Sequence, residues 1–401
     1  MKVHSVMALL VSAAMATACQ EKLGTPSDCP ELCPGNSLII RDTILIARVG
    51  LDSTFTGYLR ADQVGALLVS NGLAAGDARA WAVFPKRQDS VTVDAVPQPY
   101  TIDSVAFVLT LIARDTAVRE LRFILHRIPP TVDTTISFAE LNAQLTPETL
   151  IDSALVSDTL KTGSVRVVVK GDALQRIAPS EADSGRLGIG IRLNAAAPTG
   201  ARLGSPNSGF SAPVYTTYVH VNVSDTAKQR QQISLAPDTG RSNYVIDGPP
   251  PPSADRLFLG GKSGSRVLLR FTLPKQIKDS AAVVRATLEL TPAEPIKGLP
   301  NDPGELQIRG ILVDIGAKSP PLPGIAASAT LPAGATTVQS ADLRNVVASW
   351  FGPNGATPTI LLGLAPEGGT FSRPEFFSTL AASGAPRLRL TYALPTHPGQ
   401  P

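Results

Sequence analysis

Apolar and polar residues alternate along most of this chain from Leu38 onward. The alternation is strict over 187–193, 284–291 and 387–394, as expected for strands that bury one face and expose the other. Glycine- and proline-rich turns separate these short runs. The pattern predicts an all-β fold of antiparallel sheets, packed as a sandwich or jelly roll.

The same order of elements occurs twice. The first half opens with a strand from Leu67 and a second strand that stops at a Pro-Lys pair, and the second half opens in the same way from Leu257. Each half then has paired longer strands, a short helical segment and a final strand led by proline, at Pro213 and Pro386. An internal duplication explains this order. We therefore expect two tandem jelly-roll-like β-sandwich domains, each with its own core, so that residues 237–395 should fold alone.

Short accessory helices are expected on top of the sheets. Ser137 and Glu140 form a capping-box pattern, which predicts a helix to about Leu145. The segment 340–351 places Leu343, Val347 and Trp350 on one face, so Trp350 should be buried in the second domain. The segment 172–177 corresponds to it in the first half.

These patterns divide the chain into six parts. They are a leader over 1–18, a flexible tether over 19–37, a first sandwich over 38–235, a proline-rich linker over 236–253, a second sandwich over 254–395 and a tail over 396–401. The linker is drawn around the Pro249–Pro252 run because four prolines remove four backbone donors.

The second half carries motifs in a recognisable order. They are Arg266-Val267-Leu268-Leu269-Arg270-Phe271, Val284 to Leu290, Val346-Val347-Ala348-Ser349-Trp350, Phe376-Phe377-Ser378 and Pro386 to Tyr392. In this order they resemble the DNRLRE family of β-sandwich domains, with Thr272 where the family has an acidic residue. The first half resembles a diverged copy. The resemblance implies a jelly-roll-like sandwich, a surface or envelope module and, in some members, polysaccharide binding, and it brings no catalytic residues.

The leader has a basic start at Lys2, an apolar middle and small residues before Cys19. This arrangement is typical of a secretory signal peptide. The run Ala16-Thr17-Ala18-Cys19 resembles a bacterial lipobox, although Ala16 stands where leucine is usual. We expect lipid on Cys19, with ordinary cleavage and a soluble secreted protein as the alternative. Gln20 in place of aspartate favours the outer membrane, by analogy with sorting in some Gram-negative bacteria.

Cys29 and Cys33 could form a local disulfide in an oxidising compartment, or stay as separate thiols. After residue 18 no apolar run reaches the roughly 20 residues needed to span a bilayer. Lysine and arginine total 36 against 33 acidic residues, without a basic block, which argues against nucleic acid as a partner.

Candidate chemistry is sparse. No nucleophile-elbow or metal-ligand spacing is present, so we expect no enzymatic activity, no cofactor and no metal. Gly261-Lys262-Ser263 is interpreted as a turn, and Gly188 and Gly190 as strand glycines that allow close packing. His126 and His220 are interpreted as ordinary strand residues.

Aromatic residues are only 5% of the chain, which leaves few stacking platforms for sugars. Trp81 is expected in the core. Tyr58, Tyr100 and Tyr244 lie near turns and are the weak ligand-binding candidates. The sequence therefore predicts a membrane-anchored envelope lipoprotein acting as a structural or protein-binding module. The alternative is a carbohydrate-binding module for polysaccharide.

Overall fold

A computed structural model describes residues 39–178, 180–238, 240–248, 252–351 and 356–394. The leader, Cys19, the tether with Cys29 and Cys33, and the tail over 396–401 lie outside these residues. The first fifteen strands are β1 Ile39–Ile46, β2 Ser53–Thr56, β3 Leu67–Asn71, β4 Asp77–Phe84, β5 Val91–Val93, β6 Val96–Gln98, β7 Tyr100–Arg114, β8 Arg122–Ile128, β9 Leu150–Leu155, β10 Gly163–Lys170, β11 Leu187–Asn194, β12 Thr199–Leu203, β13 Val214–Val221, β14 Arg230–Leu235 and β15 Ser242–Asp247.

The chain then forms nine more strands, β16 Arg256–Phe258, β17 Ser265–Arg270, β18 Ala282–Leu290, β19 Gly304–Ile311, β20 Pro321–Leu331, β21 Gln339–Asp342, β22 Thr357–Ala365, β23 Glu375–Phe377 and β24 Arg387–Leu394. Three short α-helices accompany them, α1 Phe138–Gln144, α2 Lys275–Ser280 and α3 Arg344–Ala348. The described residues contain no helix long and apolar enough to cross a membrane.

Two antiparallel β-sandwiches account for most of these strands, which confirms the predicted fold class. The first sandwich packs the sheet β14-β13-β7-β12-β3, with β10 on the other edge of β7, against the sheet β15-β4-β11-β8-β9. The second sandwich packs the sheet β1-β24-β18-β21 against the sheet β2-β17-β22-β19-β20. Each encloses a large apolar core because alternate residues of both sheets point inward.

The two sandwiches share one strand topology, but the second sandwich is completed by β1 and β2, the first strands of the chain. The order β14-β13-β7-β10 in the first sandwich corresponds to β1-β24-β18-β21 in the second, and β15-β4-β11-β8-β9 corresponds to β2-β17-β22-β19-β20. The places that β14 and β15 fill in the first sandwich are filled in the second by β1 and β2. Ile39 lies opposite Leu394, and Ser53 lies opposite Leu268.

This pairing corrects the predicted domain boundary at residue 38. The segment Ile39 to Thr56 belongs to the second sandwich, because all eight residues of β1 pair with β24 and β2 pairs with β17. The predicted linker over 236–253 is also wrong in part. It contains β15, which pairs with β4 and completes the first sandwich. In the sequence the proline run comes only after that strand, so the linker predicted around it is too wide.

The two cores also meet. Leu299 and Phe371, both from loops of the second sandwich, pack into the core of the first. Beside them the Arg202 Nη1 atom lies 2.6 Å from the Asp302 Oδ1 atom, and both side chains are largely buried. Burial raises the pKa of the Asp302 carboxyl, although the Arg202 guanidinium opposes this shift. The halves are therefore joined by shared apolar packing and by a buried ion pair, which weakens the expectation of independent folding.

Two local predictions are confirmed, the capping-box helix and the burial of Trp350. Ser137 accepts a hydrogen bond from the Glu140 amide and Glu140 accepts one from the Ser137 amide, which is the capping box at the start of α1. Trp350 is buried, and its ring stacks on Phe271 with centroids 6.4 Å apart. The helical segment over 340–351 is shorter than expected, because Gln339–Asp342 pairs as a strand with β18.

Candidate functional site

A groove lined by charged and polar residues lies on the outer face of the sheet β2-β17-β22-β19-β20. Its volume is 270 Å³, and the residues that shape it are Arg266, Gln307, Arg309, Leu361, Gly363 and Glu367. Alternation along the strands explains this set. Val267, Ile308 and Leu362 point into the core, so their neighbours in sequence point outward.

The groove is open because the second sandwich lacks a cover that the first possesses. In the first sandwich, α1 lies over Trp81 on the corresponding face, packed through Leu141 and Leu145. Gly190 makes room for this packing, since a Cβ atom there would lie 2.4 Å from the Leu145 Cδ2 atom. Gly188 makes room for the backbone that leads to α1, since a Cβ atom there would lie 2.5 Å from the Ile128 carbonyl oxygen. This confirms that these strand glycines allow close packing. In the second sandwich the connection from β19 to β20 is shorter and carries only one turn of 3₁₀-helix, Gly316–Lys318.

One wall of the groove is a fixed cluster of Arg266, Glu367 and Tyr58. The Arg266 Nε and Nη2 atoms donate to the two Glu367 carboxylate oxygens at 2.9 and 2.7 Å. The guanidinium carbon lies 4.3 Å from the centre of the Tyr58 ring. Tyr58 in turn donates to the Ala317 carbonyl oxygen at 2.7 Å. The hydrogen bonds that Arg266 donates to Glu367 raise the pKa of Arg266, and burial raises the pKa of Tyr58, so Arg266 stays charged and Tyr58 neutral.

The opposite wall has an uncompensated cation. The Arg309 Nη2 atom donates to the Gln307 Oε1 atom at 2.9 Å, and Arg309 forms no ion pair with an acid of the described residues. Between the walls lies Gly363, where a Cβ atom would meet only the Arg266 Cγ atom at 3.8 Å. The groove thus offers a guanidinium and an amide beside a floor without a side chain. This combination suits a flat ligand that carries carboxylate and hydroxyl groups.

The three tyrosines named from the sequence are in different environments. Tyr58 is half-buried in the groove wall. Tyr100 is half-buried in the first sandwich, where Arg87 donates to its hydroxyl at 2.9 Å and Tyr100 donates to the Gln88 carbonyl oxygen. The prediction that Tyr244 is a candidate for ligand binding is wrong. Tyr244 is a core residue of β15, and its hydroxyl donates to the Gly368 carbonyl oxygen at 2.9 Å.

Lys262 lies at the junction of the two sandwiches. Its ammonium nitrogen is 5.6 Å from the centre of the Tyr244 ring. Burial lowers the pKa of Lys262 to about 8. The segment over 261–263 forms a turn, as predicted, with Gly260 and Gly261 at positive φ. His126 is buried, with its Nδ1 atom 3.0 Å from the Thr146 carbonyl oxygen, while its Nε2 atom has no hydrogen-bond partner among the described residues.

Sequence reasoning missed the groove residues. In the sequence, Arg266 and Gln307 each stand beside apolar residues, and nothing in this pattern indicates that the face they share is uncovered. The contact between Tyr58 and Arg266 depends on β2 joining β17 from the other end of the chain. Among the described residues no group of three or more histidine, cysteine or acidic side chains is arranged to hold a metal ion.

Comparison with known proteins does not assign the chain to a family. No family model matches the chain, and no curated protein matches it. The tandem CBM22-1–CBM22-2 domain of Paenibacillus barcinonensis Xyn10C is 10% identical over 88% of this chain and 99% of its own, with a TM-score of 0.14. An infectious bursal disease virus structure, Gx strain, is 10% identical over 90% of this chain and 78% of its own, with a TM-score of 0.15. Scores this low carry no argument about function.

Proposed function

We propose that the chain is a non-enzymatic lipoprotein of the cell envelope, held at the outer membrane by lipid on Cys19. Its two β-sandwiches would act as a rigid surface module for structural or protein contacts. The observation that carries the proposal is the leader with Ala16-Thr17-Ala18-Cys19, which ends twenty residues before β1. All of β1 pairs with β24, so an anchor there would hold the second sandwich directly. The motif resemblance to DNRLRE domains fits such an envelope module and stays a prediction.

The anchor is tested with cysteine variants of the full chain in a bacterial host that processes lipoproteins. Cys19→Ser should move the protein from the membrane fraction to the soluble fraction and abolish incorporation of a labelled fatty acid. Cys29→Ser and Cys33→Ser are matched controls and should leave both readouts unchanged. A Cys19→Ser protein that stays membrane-bound would rule the anchor out.

The groove supports a second candidate function, binding of an acidic polysaccharide. Its guanidinium and amide could hold a uronate carboxylate and a neighbouring hydroxyl, while Gly363 leaves room for the sugar ring. Arg266 is already paired with Glu367, so Arg309 would carry the charge recognition.

A glycan array that includes uronate polymers tests this candidate. Hydrogen bonds to charged groups contribute about 1.5–3 kcal/mol, so Arg309→Gln should weaken binding by roughly 10- to 100-fold. Gly363→Val should block binding by filling the floor. Arg166→Gln is the matched control, because Arg166 lies over Tyr218 on an outer face of the first sandwich. Equal binding by all three variants would exclude the groove as the site.

A further inference from the structure

Exposed apolar side chains are concentrated in one part of the molecule. In the first sandwich the exposed large apolar residues, among those the structure describes, are Val96, Leu155, Val168 and Phe210. In the second sandwich they are Ile40, Ile44, Ile46, Val49, Leu51, Val284, Leu312, Val313, Ile315, Val338 and Leu380. Val49 is 72% exposed and Ile40 is 65% exposed. This asymmetry between two copies of one topology calls for an explanation.

Most of these residues lie along the outer face of β1 or around the turn that joins β1 to β2. Arg270 donates to the Leu51 carbonyl oxygen and, at 2.9 Å, to the Asp314 carboxylate, which holds the loop 312–318 beside the turn. The Asp52 carboxylate accepts a hydrogen bond from the Thr379 amide at 2.7 Å, which holds the loop 378–381 there as well. We name the resulting surface the apolar rim; it consists of Ile40, Ile44, Ile46, Val49, Leu51, Leu312, Val313, Ile315 and Leu380.

The fold itself does not require isoleucine at these places. Ile44 lies opposite Arg389, the third residue of β24, and Ser234 lies opposite Thr216, the third residue of β13. Ile44 and Ser234 therefore hold equivalent positions on equivalent edge strands. By the same register Ile40 corresponds to Arg230. Both Ser234 and Arg230 are exposed, as polar residues on an outer face should be.

The position of the rim along the chain indicates what covers it. Nineteen residues, 20–38, lie between Cys19 and the start of β1. A fully extended chain of that length spans at most about 70 Å. The rim is thus the part of the described body attached most directly to the proposed anchor. Exposed Arg41, Arg48 and Arg387 flank it, while Asp52 and Asp314 are occupied by Thr379 and Arg270. One exposed acid, Asp42, lies between Ile40 and Ile44 and accepts a hydrogen bond from the Thr391 hydroxyl at 2.6 Å.

We propose that the apolar rim is a membrane-contact surface, whose aliphatic side chains enter the interfacial layer of an anionic bilayer while the flanking arginines meet the headgroups. This inference rests on the proposed anchoring. The lipid anchor would supply the affinity for the membrane, and the rim would set the orientation of the protein on it. A tethered surface needs only weak contacts to remain bound to the bilayer. The second sandwich then lies on the bilayer and the first projects away from it.

The experiment supplies its own anchor, so that it does not depend on native lipidation. Residues 1–19 are replaced by a polyhistidine tag, and Cys29→Ser and Cys33→Ser remove the other thiols. A single label site is then introduced as Ile44→Cys or, at the equivalent position of the first sandwich, as Ser234→Cys. Each protein carries a polarity-sensitive fluorophore and is tethered to vesicles of phosphatidylethanolamine, phosphatidylglycerol and a nickel-chelating lipid.

The expected result is a blue shift and a loss of fluorescence to lipid-borne quenchers for the label at position 44, with neither effect at position 234. Adding Val49→Ser, Leu312→Ser and Ile315→Ser should abolish both effects at position 44, whereas adding Leu155→Ser and Phe210→Ser should not. An unquenched label at position 44, or equal quenching at both positions, would overturn the proposal. So would a vesicle-independent dimer that shields position 44, because it would assign the rim to a second copy. Failure of the native anchor would show separately in the Cys19→Ser fractionation.

Discussion

At the scale of single residues, burial decides what the aromatic side chains do. Trp350 follows the pattern seen in the sequence, since its neighbours on the apolar face, Leu343 and Val347, are fully buried with it. Tyr244 shows the opposite outcome. Its position near a turn indicates exposure, but its side of β15 faces the core. Local sequence indicates which residues are apolar, whereas the burial of a tyrosine depends on the strand beside it.

Trp350→Ala should cost about 3–5 kcal/mol of unfolding free energy, the usual range for truncation of a large buried aromatic. The ring stacks on Phe271 in the core of the second sandwich, so its truncation would leave a cavity there. Denaturant unfolding measures the effect. A midpoint equal to that of the wild type would contradict the core assignment, and Tyr218→Ala on an outer face serves as the control.

The burial of Lys262 predicts that the free energy of unfolding depends on pH. Its pKa is about 8 in the folded chain against 10.5 unfolded, so between these values the unfolded chain binds more protons. Stability should therefore rise with pH across this window, by at most about 1.4 kcal/mol per pH unit. Lys262→Met should remove that rise and stabilise the protein at neutral pH. Urea midpoints of both proteins, compared below pH 8 and above it, check this. Parallel pH dependence would show that Lys262 is solvated.

At the scale of elements, glycines in the equivalent strands β11 and β22 have different roles. At Gly188 a Cβ atom would meet the Ile128 carbonyl oxygen, which is backbone and cannot turn away. At Gly363 a Cβ atom would enter the open groove. Gly188→Ala should therefore cost about 1–3 kcal/mol through overpacking, whereas Gly363→Ala should gain about 0.5–1 kcal/mol. Thermal unfolding of the two variants compares them directly, and a destabilised Gly363→Ala protein would mean that the groove is not open.

The sequence predicted elements better than it predicted their partners. The capping box located α1, and alternation located β18 and β24, because these signals are local. The same local signals did not predict the partners of β1 and β2, or the groove. Which strand occupies a sheet edge depends on residues hundreds of positions away, and whether a face is covered depends on loop length elsewhere in the fold.

At the scale of the whole molecule, the exchange of strands at the chain's ends governs independent folding. A fragment of residues 254–394 lacks β1 and β2 and so leaves β24 and β17 with open edges. It should aggregate or unfold without a cooperative transition. The permuted fragment 254–394, joined by a short turn to 39–57, should recover a cooperative transition, because Leu394 lies opposite Ile39 as in a hairpin. Circular dichroism and denaturant titration compare them. Cooperative folding of 254–394 alone would show that β1 and β2 are dispensable.

The junction makes the two sandwiches depend on each other. Phe371 comes from the second sandwich, yet it packs into the core of the first, where its ring would meet a Cβ atom at Gly200 within 2.9 Å. Phe371→Ala should cost about 3–5 kcal/mol and loosen the first sandwich. Hydrogen exchange should show the loss of protection in β3 and β12. Loss confined to the second sandwich would contradict the shared core.

If the chain is exported as proposed, the pairing of β1 with β24 also has a consequence for the order in which strands pair during secretion. The first strand would leave the export channel early, but its partner would be among the last segments to follow, so the backbone of β1 would stay unpaired while the intervening chain emerges. A chain that stops short of residue 387 can never cover the edge of β1. The pairing would therefore distinguish complete chains from truncated ones. Truncated copies would present the unpaired backbone edge of β1 to proteases and chaperones, and chains that reach β24 would pair that edge.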